Sequence, residues 1–166
     1  MHTATDFINY YRLLPHPEGG YYKQTYRAAE NIPHAALPQR FTGARSFSTA
    51  IFFLLEQGNF SSFHRIQSDE CWHFYAGGRM HVHIINKEGI LETIHPGPDF
   101  LNGEKFQFVV PAGCWFAAET AIETSFSFVG CTVAPGFDFA DFELANTDEL
   151  SRLYPQHEAI IRRLTR

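Results

Sequence analysis

The chain has 166 residues, 45% hydrophobic and 16% aromatic, enough to bury one real core and too apolar for disorder. Thirteen basic against eighteen acidic side chains give a formal charge of −5 with no basic run, which excludes the electrostatic footprint of a nucleic-acid binder. No stretch approaches the roughly 18 consecutive apolar residues of a membrane span, so neither nucleic acid nor membrane is an expected partner.

Residues 3–14 read as a helix, with Phe7, Tyr10, Tyr11 and Leu14 on one apolar face and Thr3 or Thr5 as its cap. Pro15 and Pro17 end it, and Glu18-Gly19-Gly20 is a turn. A series of strands follows. Tyr21 to Ala28 comes first, then a loop with Pro33, Pro38 and Gly43, then Arg45 to Leu55. In this last segment Phe47, Thr49, Ile51, Phe53 and Leu55 alternate with Ala50, Phe52 and Leu54, so both faces need cover. Phe60 to Ile66, Cys71 to Ala76, Arg79 to Asn86, Ile90 to His95, Phe106 to Val110, Cys114 to Ala118 and Thr124 to Val133 complete the series. Short strands at intervals of roughly 8–12 residues predict a sandwich or barrel. The C-terminal part is helical. Asn146 and Glu149 resemble a capping box, Pro155 suits a first turn, and Ile160, Ile161 and Leu164 form an apolar stripe.

Met1 to Asp6 lacks the charged-then-apolar order of a signal peptide. Cys71, Cys114 and Cys131 are odd in number and form no CxxC, which predicts free thiols in a reducing cytoplasm. The expectation is one cytoplasmic domain over residues 1–166.

The segment from Gly58 to Gly77 carries the chemistry, with His64, Ile66, Asp69, Glu70, Trp72 and His73 inside it. Gly58, His64, Glu70 and Gly77 fall on a pattern of glycine, His-x-His, glutamate and glycine that resembles the first motif of the cupin superfamily. Ile66 stands at its second histidine. Pro111-Ala112-Gly113 resembles the start of the second motif, with Phe116 where that motif has histidine. Together with Pro15-His16-Pro17-Glu18-Gly19-Gly20-Tyr21-Tyr22 and Gly130-Cys131-Thr132-Val133-Ala134-Pro135-Gly136-Phe137, these runs are similar to the cupin-5 family, DUF985, over about residues 10 to 160.

The resemblance implies an all-β-dominated cupin-type β-barrel or jelly roll with short N- and C-terminal helices, a homodimer, and a small-molecule ligand inside the barrel. Position for position, His64, Ile66, Glu70 and Phe116 would line the spot where relatives hold a metal. With two potential ligands left of four, no cofactor is expected. A divalent metal is disfavoured and, if held, would use His64 and Glu70, with His81 or His83 as possible recruits. The remaining His64–Glu70 pair is the candidate for acid–base catalysis of an isomerase, epimerase or lyase step. The alternatives are a non-catalytic binding or sensor protein and a metal-dependent enzyme. Trp72, Phe74 and Phe116 are candidates to stack on a ligand, Gln107 to bind it, and Tyr22 and Tyr26 to close the mouth. His73, out of phase with Glu70 and Trp72, should face away. Parity across Gly77-Gly78 leaves His81 and His83 open between the pocket and the outer face.

Overall fold

The computed structural model describes residues 2–166. Helix α1 spans Ala4–Tyr11, α2 Thr147–Leu153 and α3 Glu158–Arg163. The strands are β1 Leu14–Pro15, β2 Tyr21–Arg27, β3 Asn31–Ile32, β4 Arg45–Ser46, β5 Thr49–Glu56, β6 Phe60–Arg65 and β7 Asp69–Gly77. They continue as β8 Met80–Ile85, β9 Leu91–Ile94, β10 Gln107–Val110, β11 Trp115–Thr120, β12 Phe126–Ala134 and β13 Glu143–Leu144. One sheet has the order β1-β2-β5-β12-β7-β10, the second the order β13-β6-β11-β8-β9, and β3 pairs with β4 apart from both.

Alternation explains how the sheets face each other. On β5, Phe53 and Leu55 enter the core between the sheets, joined there by Trp72 of β7, Val82 of β8, Phe116 of β11 and Val129 of β12. The intervening Phe52 and Leu54 face outward, where α1 covers them. Tyr11 lies over Phe52 with ring centroids 4.7 Å apart, and Phe7 over Phe128 at 4.6 Å. The second apolar face of β5 is therefore covered within the chain. Thr3 caps α1 in a reciprocal box with Asp6, a device worth about 1 kcal/mol. The helix stops at Tyr11, short of Leu14, because Arg12 turns left-handed and Leu14–Pro15 pairs with Tyr21–Tyr22.

The segment from Arg45 to Leu55 is two strands rather than one. Ser48 leaves the ladder to donate to the Val133 carbonyl, and Arg45 is drawn into a buried bidentate pair with Asp141, both contacts 2.6 Å. At the far end, Asn146 caps α2 and Pro155 opens a short turn into α3, as the sequence predicts. Ile161 and Leu164 of this C-terminal layer pack on Phe63 and Trp115, against the outer face of the second sheet.

Candidate functional site

A cavity of about 370 Å³ opens between the sheets. The hairpin between β1 and β2 supplies His16 and Glu18, β2 supplies Tyr22, Gln24 and Arg27, and β6 with the residue after it supplies His64 and Ile66. Glu70 and Trp72 come from β7 and Cys131 from β12, while Phe137, Asp138, Phe139 and Phe142 form part of the rim.

The hairpin tip drops its side chains inward because Gly19 and Gly20 turn the chain at φ of 113° and 74°. A Cβ on Gly19 would stand 2.1 Å from the Phe60 carbonyl oxygen, so only glycine permits this approach. The Glu18 carbonyl accepts from the Ser62 amide at 2.7 Å and from the Arg166 guanidinium, which lies over the Phe60 ring. The turn is thus held from behind.

Glu18 is the partner of His64 that the sequence reading missed. His64 Nε2 lies 3.0 Å from Glu18 Oε2. His64 Nδ1 lies 2.7 Å from the Ser62 carbonyl oxygen, which can only accept. Nδ1 therefore carries a proton, and Nε2 faces Glu18 across a shared one. Ser61 donates to Glu18 Oε1 at 2.8 Å. A β-bulge makes this possible: pairing of β6 with β11 slips between Ser61 and His64, so residues three apart both reach Glu18. His16 Nδ1 lies 3.5 Å from Glu18 Oε2 and accepts from the Glu18 amide at 3.3 Å.

Burial dominates the electrostatics. Desolvation pushes the Glu18 carboxyl up, against the pull of His16, Ser61 and Arg166. It also raises Glu70 to about 7, with His64 and the Cys131 thiol opposing and Glu18 reinforcing. It lowers His64 and His16, both against the pull of a neighbouring carboxyl group. Every one of these shifts favours the uncharged form, because the Arg166 guanidinium engages the Glu18 carbonyl rather than its carboxyl and its pull is outweighed by burial. Desolvation likewise holds the Cys131 thiol well above its ordinary range.

The other predicted residues divide cleanly. Tyr22 and Trp72 line the cavity with His64 and Glu70. Phe116 is fully buried behind it, its ring 4.1 Å from that of His64, because the two residues are paired across β6 and β11. Phe74 packs on the same core beyond the cavity wall. Gln107 lies on the outer face, hydrogen-bonded to His73 Nδ1 at 3.0 Å, and His73 also contacts the Thr132 hydroxyl. Tyr26 is exposed and outside the cavity. The register of β2 on β5 shifts between Gln24 and Tyr26, which opposes Tyr26 to Ala50 and Arg27 to the cavity-lining Thr49. His81 and His83 sit opposite Val82 and Ile84 in alternation and face away from the barrel core. There His81 Nδ1 meets His95 Nδ1 at 2.8 Å, and His83 Nε2 meets Glu119 at 3.1 Å.

Missing from the sequence reading were His16, Glu18 and Arg27. The run Pro15 to Tyr22 was the available signal, since it places two titratable residues in a tight diglycine turn.

Comparison with known proteins agrees with this architecture. Residues 5–145 match the family model described as Cupin superfamily (DUF985). An uncharacterised protein of Saccharomyces cerevisiae is 30% identical over 162 residues, covering 92% of this chain and 80% of its own length. A solved protein of Shewanella oneidensis is 40% identical with a TM-score of 0.89, covering 100% of this chain and 99% of its own. A hypothetical protein from Leishmania major is 33% identical at a TM-score of 0.90, with 99% of each chain covered. Oxalate decarboxylase from Bacillus subtilis shares the fold at 14% identity and a TM-score of 0.55, over 90% of this chain and 36% of its own.

Proposed function

We propose, from the premise that this chain belongs to the cupin superfamily family DUF985, that its barrel binds a small molecule and catalyses proton transfer on it. The reaction would be an isomerase, epimerase or lyase step. The observation that carries this reading is that two carboxyl groups and two imidazoles, Glu18, Glu70, His16 and His64, line one apolar-walled cavity.

Burial of such groups is unfavourable unless they are used or neutralised. Glu70, at about 7, is divided between acid and base near neutral pH, the condition for efficient proton transfer. In this reading Glu70 takes a proton from the ligand. His64 and Glu18, sharing a proton across 3.0 Å, deliver one to the atom where charge develops. Ser62 fixes the His64 tautomer, and Ser61 holds the Glu18 carboxyl in line.

A metal of the kind cupins hold does not suit these residues. Bacillus subtilis oxalate decarboxylase is described with Mn(II) centres. Here Ile66 and Phe116 stand at two of the four motif positions, and both ring nitrogens of His64 are already engaged. Among the described residues no three His, Cys, Asp or Glu side chains are grouped to hold a metal ion. Metal analysis of untagged protein tests this, and a stoichiometric transition metal bound through His64 would overturn it.

The reading includes a homodimer, supported by the exposed apolar side chains Tyr75 and Val109 on the first sheet. A monomer by light scattering at high concentration removes that element. It also includes a cytoplasmic setting, supported by the free thiols of Cys71, Cys114 and Cys131. Among the described residues no helix is long and apolar enough to cross a membrane.

The decisive experiment identifies copurifying small molecules by mass spectrometry, then incubates protein and ligand in deuterium oxide. Carbon-bound deuterium should appear with wild type and fall about a hundredfold or more with Glu70→Gln or His64→Gln. Binding without incorporation would make the protein a non-catalytic binder.

A further inference from the structure

The cavity is electrically lopsided. Its inner chemistry consists of Glu18 and Glu70 with the two imidazoles, and among the described residues Arg27 is the one lysine or arginine that lines it. Arg27 owes that place to the irregular register of β2. Regular pairing from Tyr22↔Phe53 and Gln24↔Ile51 would set Tyr26 opposite Thr49, but the shift after Gln24 sets Arg27 there instead. Bulges beside binding sites re-aim side chains in this way.

The guanidinium is held but not neutralised. It donates to Gln24 Oε1 at 3.3 Å, to the Ser46 hydroxyl at 3.4 Å and to the Phe137 carbonyl at 3.0 Å, all uncharged acceptors. Asp138, which also lines the cavity, turns one carboxylate oxygen to the Ala140 amide at 2.9 Å and, among the described residues, forms no ion pair with Arg27. A positioned guanidinium fork is suited to a carboxylate or phosphate oxygen pair. The aromatic side chains that line the cavity, among them Phe53, Trp72 and Phe142, suit an apolar body rather than a second charge.

We propose that the ligand is an organic anion bound in one direction, its carboxylate or phosphate on Arg27 at the rim and its reacting, uncharged end against Glu18, His64 and Glu70. The inference rests on the cavity being a ligand site, as proposed above, and adds its substrate class and orientation. The reverse orientation would take the anion away from the one guanidinium that lines the cavity among the described residues and set it against Glu70, which is partly ionised near neutral pH.

Titration calorimetry at neutral pH with four probes of common body tests this: 3-phenylpropionate, 3-phenylpropyl phosphate, 3-phenylpropanol and 3-phenylpropylamine. At least one anion should bind about tenfold or more tighter than the alcohol and the amine. Arg27→Gln should erase that preference, and Arg27→Lys should keep part of it. Preference for carboxylate over phosphate, or the reverse, identifies the acid. Equal binding of the alcohol or amine, a preference that survives Arg27→Gln, or no binding of any probe overturns the inference. Glu119→Gln, outside the cavity, should retain the anion preference when measured in parallel. Failure of deuterium incorporation alone therefore leaves this inference standing, and loss of the head-group preference alone leaves proton transfer standing.

Discussion

Two clusters of histidine and glutamate use the second sheet, and they behave oppositely. Inside, Glu18, His64 and Glu70 line one cavity, Arg166 engages the Glu18 carbonyl rather than its carboxyl, and burial drives the carboxyls up and the His64 imidazole down. Outside, His83 meets Glu119 at a nearly identical distance, 3.1 Å against 3.0 Å. Burial raises Glu119 too, yet hydrogen bonds from Arg163 and His83 outweigh it and hold this carboxyl below its ordinary value. Contact geometry alone does not set the protonation of a carboxyl. What separates the clusters is whether an arginine hydrogen-bonds the carboxylate itself.

The largest expected consequence is in chemistry. Glu70→Gln should lower deuterium incorporation about a hundredfold or more, while Glu119→Gln changes it less than about twofold. Comparable losses in both variants would erase the distinction.

The pH dependence of stability sharpens it. Glu70 rises from 4.5 to about 7 on folding, so the folded state keeps this proton longer than the unfolded chain. Its contribution is full below 4.5 and is lost as pH rises through about 7, a change of about 3 kcal/mol. Buried His64 runs the other way: its folded value is depressed below 6.5, so stability is lost as pH falls beneath that value. The difference between wild type and Glu70→Gln isolates the carboxyl. Denaturant melts should show the variant gaining on wild type from pH 4.5 to 7.5, and parallel curves would mean that Glu70 is hydrated.

The smallest effect belongs to the outer cluster. Arg163 is exposed and Glu119 partly so, so Glu119→Gln should cost less than about 1 kcal/mol at neutral pH, shrinking as salt is added. A salt-independent loss of several kcal/mol would mean that this cluster is as secluded as the inner one.

Much of the barrel was legible because alternation is a two-residue period that survives in isolation. Phe53, Leu55, Trp72 and Val82 fall inside as the pattern requires. The site was half legible. His64 and Glu70 sit in strands, where parity assigns a face, whereas His16 and Glu18 sit in a turn, where no period exists. Parity itself failed at Tyr26, where the extra residue is set by pairing with β5 and leaves no mark in local sequence. The cover over Phe52 was equally hidden, since the pattern demands a partner without saying that α1 provides it.

Cys131 offers a gauge of whether the cavity is filled. Its thiol lies in the cavity wall beside Glu70 and is held strongly protonated. It should react slowly with small alkylating reagents, because thiolate is scarce. A molecule seated against Glu70 should slow that labelling further, a readout of occupancy independent of any turnover.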